Sequence, residues 1–159
     1  MTKRLLEHWF DELRIGQEET TRGRTVTETD VVNWCMFTGD WFLMHSNAVY
    51  ASESMYGERI APGLMVLAIS GGLVLPAETQ TVIANYGCDR IRYPRPTFIG
   101  DTINVRVVVT QLEDRQDRTG LMAMRWDILN QNGSEVCVAD FKALMAHKPL
   151  SQVEEQPNA

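Results

Sequence analysis

Asp40 and His45 are the residues whose types and spacing best suit chemistry in this 159-residue chain. They lie five positions apart in Phe37-Thr38-Gly39-Asp40-Trp41-Phe42-Leu43-Met44-His45. An aspartate is a weak base in water. Partial burial among Trp41, Phe42, Leu43 and Met44 would raise its proton affinity, and a neighbouring imidazole would orient it or share a water with it. Downstream, Pro62-Gly63 opens a long apolar stretch, and free N–H groups at a helix start there suit a developing oxyanion. These parts together fit the addition of water to, or its removal from, a double bond conjugated to a carbonyl. A plainer reading of the same residues stays open at this point. Asp40 closes a turn after Gly39, and His45 is a satisfied structural histidine. His8, on the outer side of a first helical turn, and His147, at the frayed end of a last strand, carry no functional expectation.

The elements that must hold the pair follow from periodicity. Leu5, Leu6, Trp9, Phe10 and Leu13 recur at helical spacing, although an edge segment ending at Gly16 fits as well. Glu18 to Val26 suits an irregular edge strand. Thr27 is placed to cap a helix, with Glu28 and Asp30 in the first turn, and Gly39 suits the left-handed stop. Asn47 to Met55 reads as a short helix with Val49, Tyr50 and Met55 inward. The run from Gly63 to Leu75 is apolar nearly all round, so it predicts a helix covered on most sides, and Pro76 ends it. The C-terminal half turns to strands. Thr79–Tyr86 is β-rich, Asp89–Tyr93 follows, and Ile103, Val105, Val107 and Val109 alternate with Asn104, Arg106, Val108 and Thr110. Met122, Met124, Trp126 and Ile128 share a face, as do Cys137, Ala139, Phe141, Ala143 and Met145. Helices first and antiparallel strands after predict an α+β domain, its sheet curved around the apolar helix.

Bulk properties narrow the function. A net charge of −6 argues against a general nucleic-acid binder. Cys35, Cys88 and Cys137 lack metal-ligand spacing and read as reduced, buried thiols, so no metal site is expected. Glu7, Asp11 and Glu12 interrupt the N-terminus before any signal-length apolar run. The longest apolar run falls short of the ~20 residues a membrane span needs. A cytoplasmic location is the default, with a single domain over 1–148 and a polar tail over 149–159.

Phe37-Thr38-Gly39-Asp40 with His45, and the small Ala51 beyond, resembles the signature of the MaoC-like dehydratases, the (R)-specific enoyl-CoA hydratases of the hot-dog fold. Arg24-Thr25-Val26-Thr27-Glu28, Ala61-Pro62-Gly63-Leu64 with Ser70-Gly71-Gly72-Leu73, Arg92-Tyr93-Pro94-Arg95-Pro96 before Gly100-Asp101-Thr102, and Asn130-Gln131-Asn132-Gly133 extend the likeness from about Trp9 to Met145. The sequence departs from many members at three places. Phe42-Leu43 stands where Asn-Pro is common, Pro62 where His is common, and Gly71 where Ser is common.

The resemblance implies a long antiparallel sheet wrapped around a central apolar helix, and a hydro-lyase acting on enoyl-CoA or 3-hydroxyacyl-CoA thioesters. Asp40 would activate the water that attacks the β-carbon. His45 would hold that water and help move its proton to the α-carbon, and the Gly63 N–H would bind the thioester oxygen. It implies no cofactor beyond coenzyme A as part of the substrate, and a homodimer or larger homo-oligomer with the acyl channel near the subunit interface. A hot-dog thioesterase and a non-catalytic acyl-CoA-binding subunit are the competing readings. Arg90, Arg92, Arg95 and Lys142 are positioned either to meet a coenzyme A phosphate or to form a solvated strand face. The altered loop between Asp40 and His45 is where the acyl preference is expected to lie.

Overall fold

The computed structural model describes residues 3–153. Its frame is an antiparallel sheet in which β4 (Thr102–Asp114), β5 (Thr119–Leu129) and β6 (Glu135–Ala146) run side by side. β3 (Val82–Arg92) pairs with β6 at one end, and β1 (Glu18–Thr20) and β2 (Arg24–Thr25) pair with β4 at the other. The alternation seen in the sequence sets the faces. Ile103, Val105, Val107 and Val109 are buried together with Met122, Met124, Trp126, Ile128, Cys137, Ala139, Ala143 and Met145. β3 is one strand rather than the two pieces expected. Register shifts absorb its irregularities, and Arg90 takes a left-handed φ of 50°.

α4 (Gly63–Val74) carries no charged residue and lies against the inner face of the sheet. It buries Met65, Val66, Ser70, Leu73 and Val74. Leu64 and Ala68 remain exposed, so the expected cover on most sides is only partly supplied by the chain itself. The sheet and the N-terminal segment reach one side of the helix only.

The N-terminal segment closes the core with two 3-10 turns, Leu5–Glu7 and Phe10–Glu12, and not with the helix that periodicity allowed. Leu5, Leu6, Phe10 and Leu13 are all buried. Arg4 ties this segment to the end of α4, its guanidinium donating to the carbonyls of Leu73 at 2.7 Å and Val74 at 3.0 Å. Those carbonyls have no partner within the helix, so the cation satisfies them and complements the helix dipole.

α1 (Glu28–Thr38) follows the sequence reading closely. Thr27 Oγ1 accepts from the Asp30 amide at 3.2 Å, Asp30 Oδ2 accepts from the Thr27 amide at 2.8 Å, and Gly39 ends the helix at φ 76°. Beyond it lie α2 (Leu43–Ser46) and α3 (Ala48–Ser52). Val49, Tyr50 and Met55, expected to face inward, are exposed. A five-residue helix offers little inward surface, and in α3 Ala51 takes it. Of the expected polar tail, Leu150–Val153 form a single helical turn (α5), and 154–159 lie outside the described residues.

His147 is also placed differently from expectation. Its Nδ1 is 2.6 Å from Asp11 Oδ1, its Nε2 is 3.4 Å from Asp114, and its ring packs on Phe10. The contact clasps the N-terminal segment to the end of β6. Burial pushes the Asp11 carboxyl up, but hydrogen bonds from the Lys148 amide and from His147 outweigh it and hold the group below its ordinary value. A depressed carboxyl stabilises the fold above its unfolded pKa, and the contribution is lost as pH falls through the folded one. Asp11→Asn should therefore lower Tm at neutral pH, and the difference should shrink as pH drops below 3.8. Thermal melts of both proteins from neutral pH to about pH 2 check this, and a gap that stays constant would refute it.

Candidate active site

Asp40 follows the left-handed Gly39 on a short, bonded loop. Its amide donates to Thr38 Oγ1 at 3.2 Å, the Trp41 amide donates to the Gly39 carbonyl at 3.0 Å, and the Phe42 amide approaches Asp40 Oδ1 at 3.4 Å. Asp40 therefore closes the turn with one carboxylate oxygen, and the other has no hydrogen-bond partner among the described residues. Asp40 is exposed, as are Trp41, Phe42 and Leu43, and Met44 alone of that run is buried. The partial burial of Asp40 expected from its apolar neighbours is thus not provided within the single chain. These side chains extend outward with Phe37, which is 88% exposed at the end of α1.

His45 sits on α2, one helical turn on. Its ring Nδ1 lies 2.8 Å from the Ile60 carbonyl. A carbonyl only accepts, so Nδ1 carries the hydrogen, and in the neutral ring Nε2 is left as an acceptor. Phe42, one of the residues that sets this loop apart, packs edge-on to the imidazole with ring centroids 5.6 Å apart.

Ile60 belongs to the segment that leads into α4. Three further contacts fix that segment. Ile60 bridges to Phe98, the Ala61 amide donates to the Thr97 carbonyl at 2.8 Å, and Arg59 forms a two-pronged pair with Glu28 at 2.9 and 2.5 Å. The hydrogen bonds it donates to Glu28 raise the Arg59 guanidinium further, and Arg59 in turn holds the Glu28 carboxyl below its usual range. α4 then starts at Gly63 with Pro62 as its cap residue. The Val66 amide bonds back to Pro62, while those of Gly63, Leu64 and Met65 find no acceptor among the described residues. His45 and an open helix N-terminus are therefore linked through one short piece of backbone.

Two features lay beyond sequence reasoning. The Ile60 carbonyl as the anchor of His45 has no signal in residue type. Tyr93 is the other. An added Cβ at Gly63 would lie 2.9 Å from ring atoms Cε1 and Cζ of Tyr93. A side chain at residue 63 would therefore have to displace the Tyr93 ring, a packing reason for glycine there, since no left-handed φ is involved.

Beside this site an apolar cavity of about 480 Å3 lies between α4 and the sheet, walled by Leu64, Leu67, Trp34 and the stacked pair Trp126 and Phe141. Of the basic residues considered for a phosphate, Arg90, Arg92 and Lys142 line a separate cavity on the sheet. Arg90 pairs with Asp140 at 2.6 Å, Lys142 lies 3.5 Å from Asp89, and Arg92 and Arg95 donate to backbone carbonyls. No cluster of His, Cys, Asp and Glu among the described residues is arranged to hold a metal. Cys35, Cys88 and Cys137 are free thiols, and burial pushes Cys137 up to about 12.

A long antiparallel sheet against one central apolar helix is the hot-dog arrangement. The chain belongs to the MaoC-like domain family, whose model matches residues 12–130. It is 36% identical over 111 residues to the MaoC protein of Klebsiella aerogenes, covering 70% of this chain but only 33% of that one. It is 28% identical over 108 residues to the (R)-specific enoyl-CoA hydratase of Rhodospirillum rubrum, covering 68% of this chain and 74% of the relative. Among solved structures, the monoamine oxidase regulatory protein of Archaeoglobus fulgius superposes with a TM-score of 0.83 at 33% identity, over 89% of this chain and 96% of that one.

The geometry of Gly39 can be tested directly. Nothing lies within 4 Å of a Cβ added there, so only its φ of 76° opposes substitution. Gly39→Ala should cost about 1 kcal/mol of stability, and Gly39→Asn less, because asparagine tolerates the left-handed region. Denaturant unfolding of the two variants measures this, and equal costs would refute it.

Proposed function

We propose that the chain is a hydro-lyase that adds water to an enoyl-CoA thioester, or removes it from the 3-hydroxyacyl-CoA. The observation that carries this reading is the 2.8 Å contact of His45 Nδ1 with the Ile60 carbonyl. It ties the imidazole to the backbone that ends in the free amides of α4. The relatives named as MaoC-type proteins and hydratases support the same class.

In the hydration direction, a water would sit between the Asp40 carboxylate and Nε2 of His45. Asp40 accepts one of its protons as the oxygen bonds to the β-carbon. The π electrons move onto the thioester oxygen, where the Gly63 N–H and the positive end of α4 offset the charge. The proton then passes, with His45 steering it, to the α-carbon. Both water hydrogens and its oxygen are thus accounted for, and the residues return to their starting states. Coenzyme A enters as the carrier of the acyl group, and the 480 Å3 apolar cavity beside Leu64 has the character needed for that group.

A second copy of the chain is part of the same proposal. β3 is a long edge strand at the end of the sheet and exposes Ile83 and Tyr86, and α4 exposes Leu64 near the site. Such an edge and apolar surface ask for cover. A homodimer would supply it and remove water from Asp40.

Two outcomes follow. Asp40→Asn should reduce hydration of trans-2-enoyl-CoA on the order of 10²–10⁴-fold. Absorbance of the conjugated thioester and free thiol should be followed together, because thiol release would point to a thioesterase. A variant with wild-type turnover removes Asp40 from the mechanism. Sedimentation of the wild-type chain should give a multiple of 18.1 kDa, and Ile83→Lys should shift it toward the single-chain mass. A wild-type monomer at assay concentration would refute the dimer.

A further inference from the structure

The contact between Gly63 and Tyr93 bears on the proposed reaction. All three nearest atoms to a Cβ at Gly63 belong to the Tyr93 ring, with Cδ1 at 3.0 Å and Cε1 and Cζ at 2.9 Å. Cζ is the carbon that bears the hydroxyl. The phenolic end of Tyr93, and not only its ring edge, therefore stands at the first residue of α4. Its hydroxyl has no hydrogen-bond partner among the described residues, and the residue as a whole is 42% exposed.

Tyr93 precedes Pro94, which favours extended backbone for it. Pro96 follows, and the next two residues are bound to the approach to α4 through the Thr97 carbonyl and the Ile60–Phe98 bridge. Tyr93 thus belongs to the same backbone bracket that holds His45. Burial, together with nearby Cys137 and Cys88, pushes its phenol up to about 12, so the group remains an O–H donor at neutral pH.

We propose that the Tyr93 hydroxyl is a second donor to the thioester oxygen, acting beside the Gly63 N–H as negative charge develops there. This rests on the hydro-lyase reading of the site. A single backbone amide leaves an enolate oxygen short of donors, and a preorganised second one acts where the charge appears. Tyr93 is then a catalytic residue, since it touches a reacting atom. Its ring has a separate packing role against Gly63 that phenylalanine would keep.

Tyr93→Phe in the full-length protein separates the two roles. Its Tm should match the wild type, because the ring contact remains. With crotonyl-CoA as substrate, kcat should fall about 10–10²-fold while KM stays near the wild-type value. Unchanged kcat in an active protein overturns the donor role, as does a loss of activity matched by a loss of Tm. Where the wild-type chain does not hydrate crotonyl-CoA, calorimetric binding of butyryl-CoA and of its thioether analogue, S-butyl-CoA, decides instead. A wild-type preference for the thioester that Tyr93→Phe abolishes supports the donor while the hydro-lyase reading fails. A missing preference, or one the variant keeps, overturns the donor as well.

Discussion

A helix with no charged residue on any side is stable only against apolar surface, and α4 is such a helix. Much of the architecture answers that constraint. The inner faces of β4, β5 and β6 supply one wall, and the N-terminal segment with Leu5, Leu6 and Phe10 extends it. Arg4 closes the far end by bonding the Leu73 and Val74 carbonyls. The near end has no such closure among the described residues. The amides of Gly63, Leu64 and Met65 stay open, and the site is built around that opening.

The segment from Arg59 to Gly63 connects the packed part of the molecule to the acid–imidazole loop. Four of its five residues are held by contacts from other parts of the chain. Arg59 meets α1 through Glu28, Ile60 meets His45 and Phe98, Ala61 meets Thr97, and Gly63 meets Tyr93. Such redundancy suits a place where an imidazole and a helix N-terminus need a fixed relation, since catalytic geometry tolerates little drift. Asp40 depends on a different device, the left-handed Gly39 that ends α1 and turns the chain toward α2.

Several apolar side chains remain outside both arrangements. Phe37, Trp41, Phe42, Leu43 and Leu64 are exposed around the site, and Ile83 and Tyr86 along β3. Exposed apolar residues are ordinary singly, but their gathering around one acid–imidazole loop fits a surface that another copy covers. The Phe42-Leu43 departure from the family pattern falls within this set, and Phe42 also packs on the His45 imidazole.

Local rules made much of this legible in the chain alone. The capped start of α1, its glycine stop, the alternation along β4, β5 and β6, and the asparagine–glycine hairpin follow from short-range stereochemistry and burial on one face. Asp40, His45 and Gly63 were identified as candidates by spacing and by family likeness. Tertiary structure decided the rest. It turned Val49, Tyr50 and Met55 outward, because a five-residue helix had inward room for Ala51. It gave His147 a clasp with Asp11 across 136 positions of sequence, and gave His45 a backbone carbonyl as its partner. Contacts of that kind depend on which surfaces meet after folding, and a backbone carbonyl is the same in every residue. The ring of Tyr93 against Gly63 is the clearest case, since an aromatic before proline and a glycine after proline reveal their relation only when the strand and the helix are brought side by side.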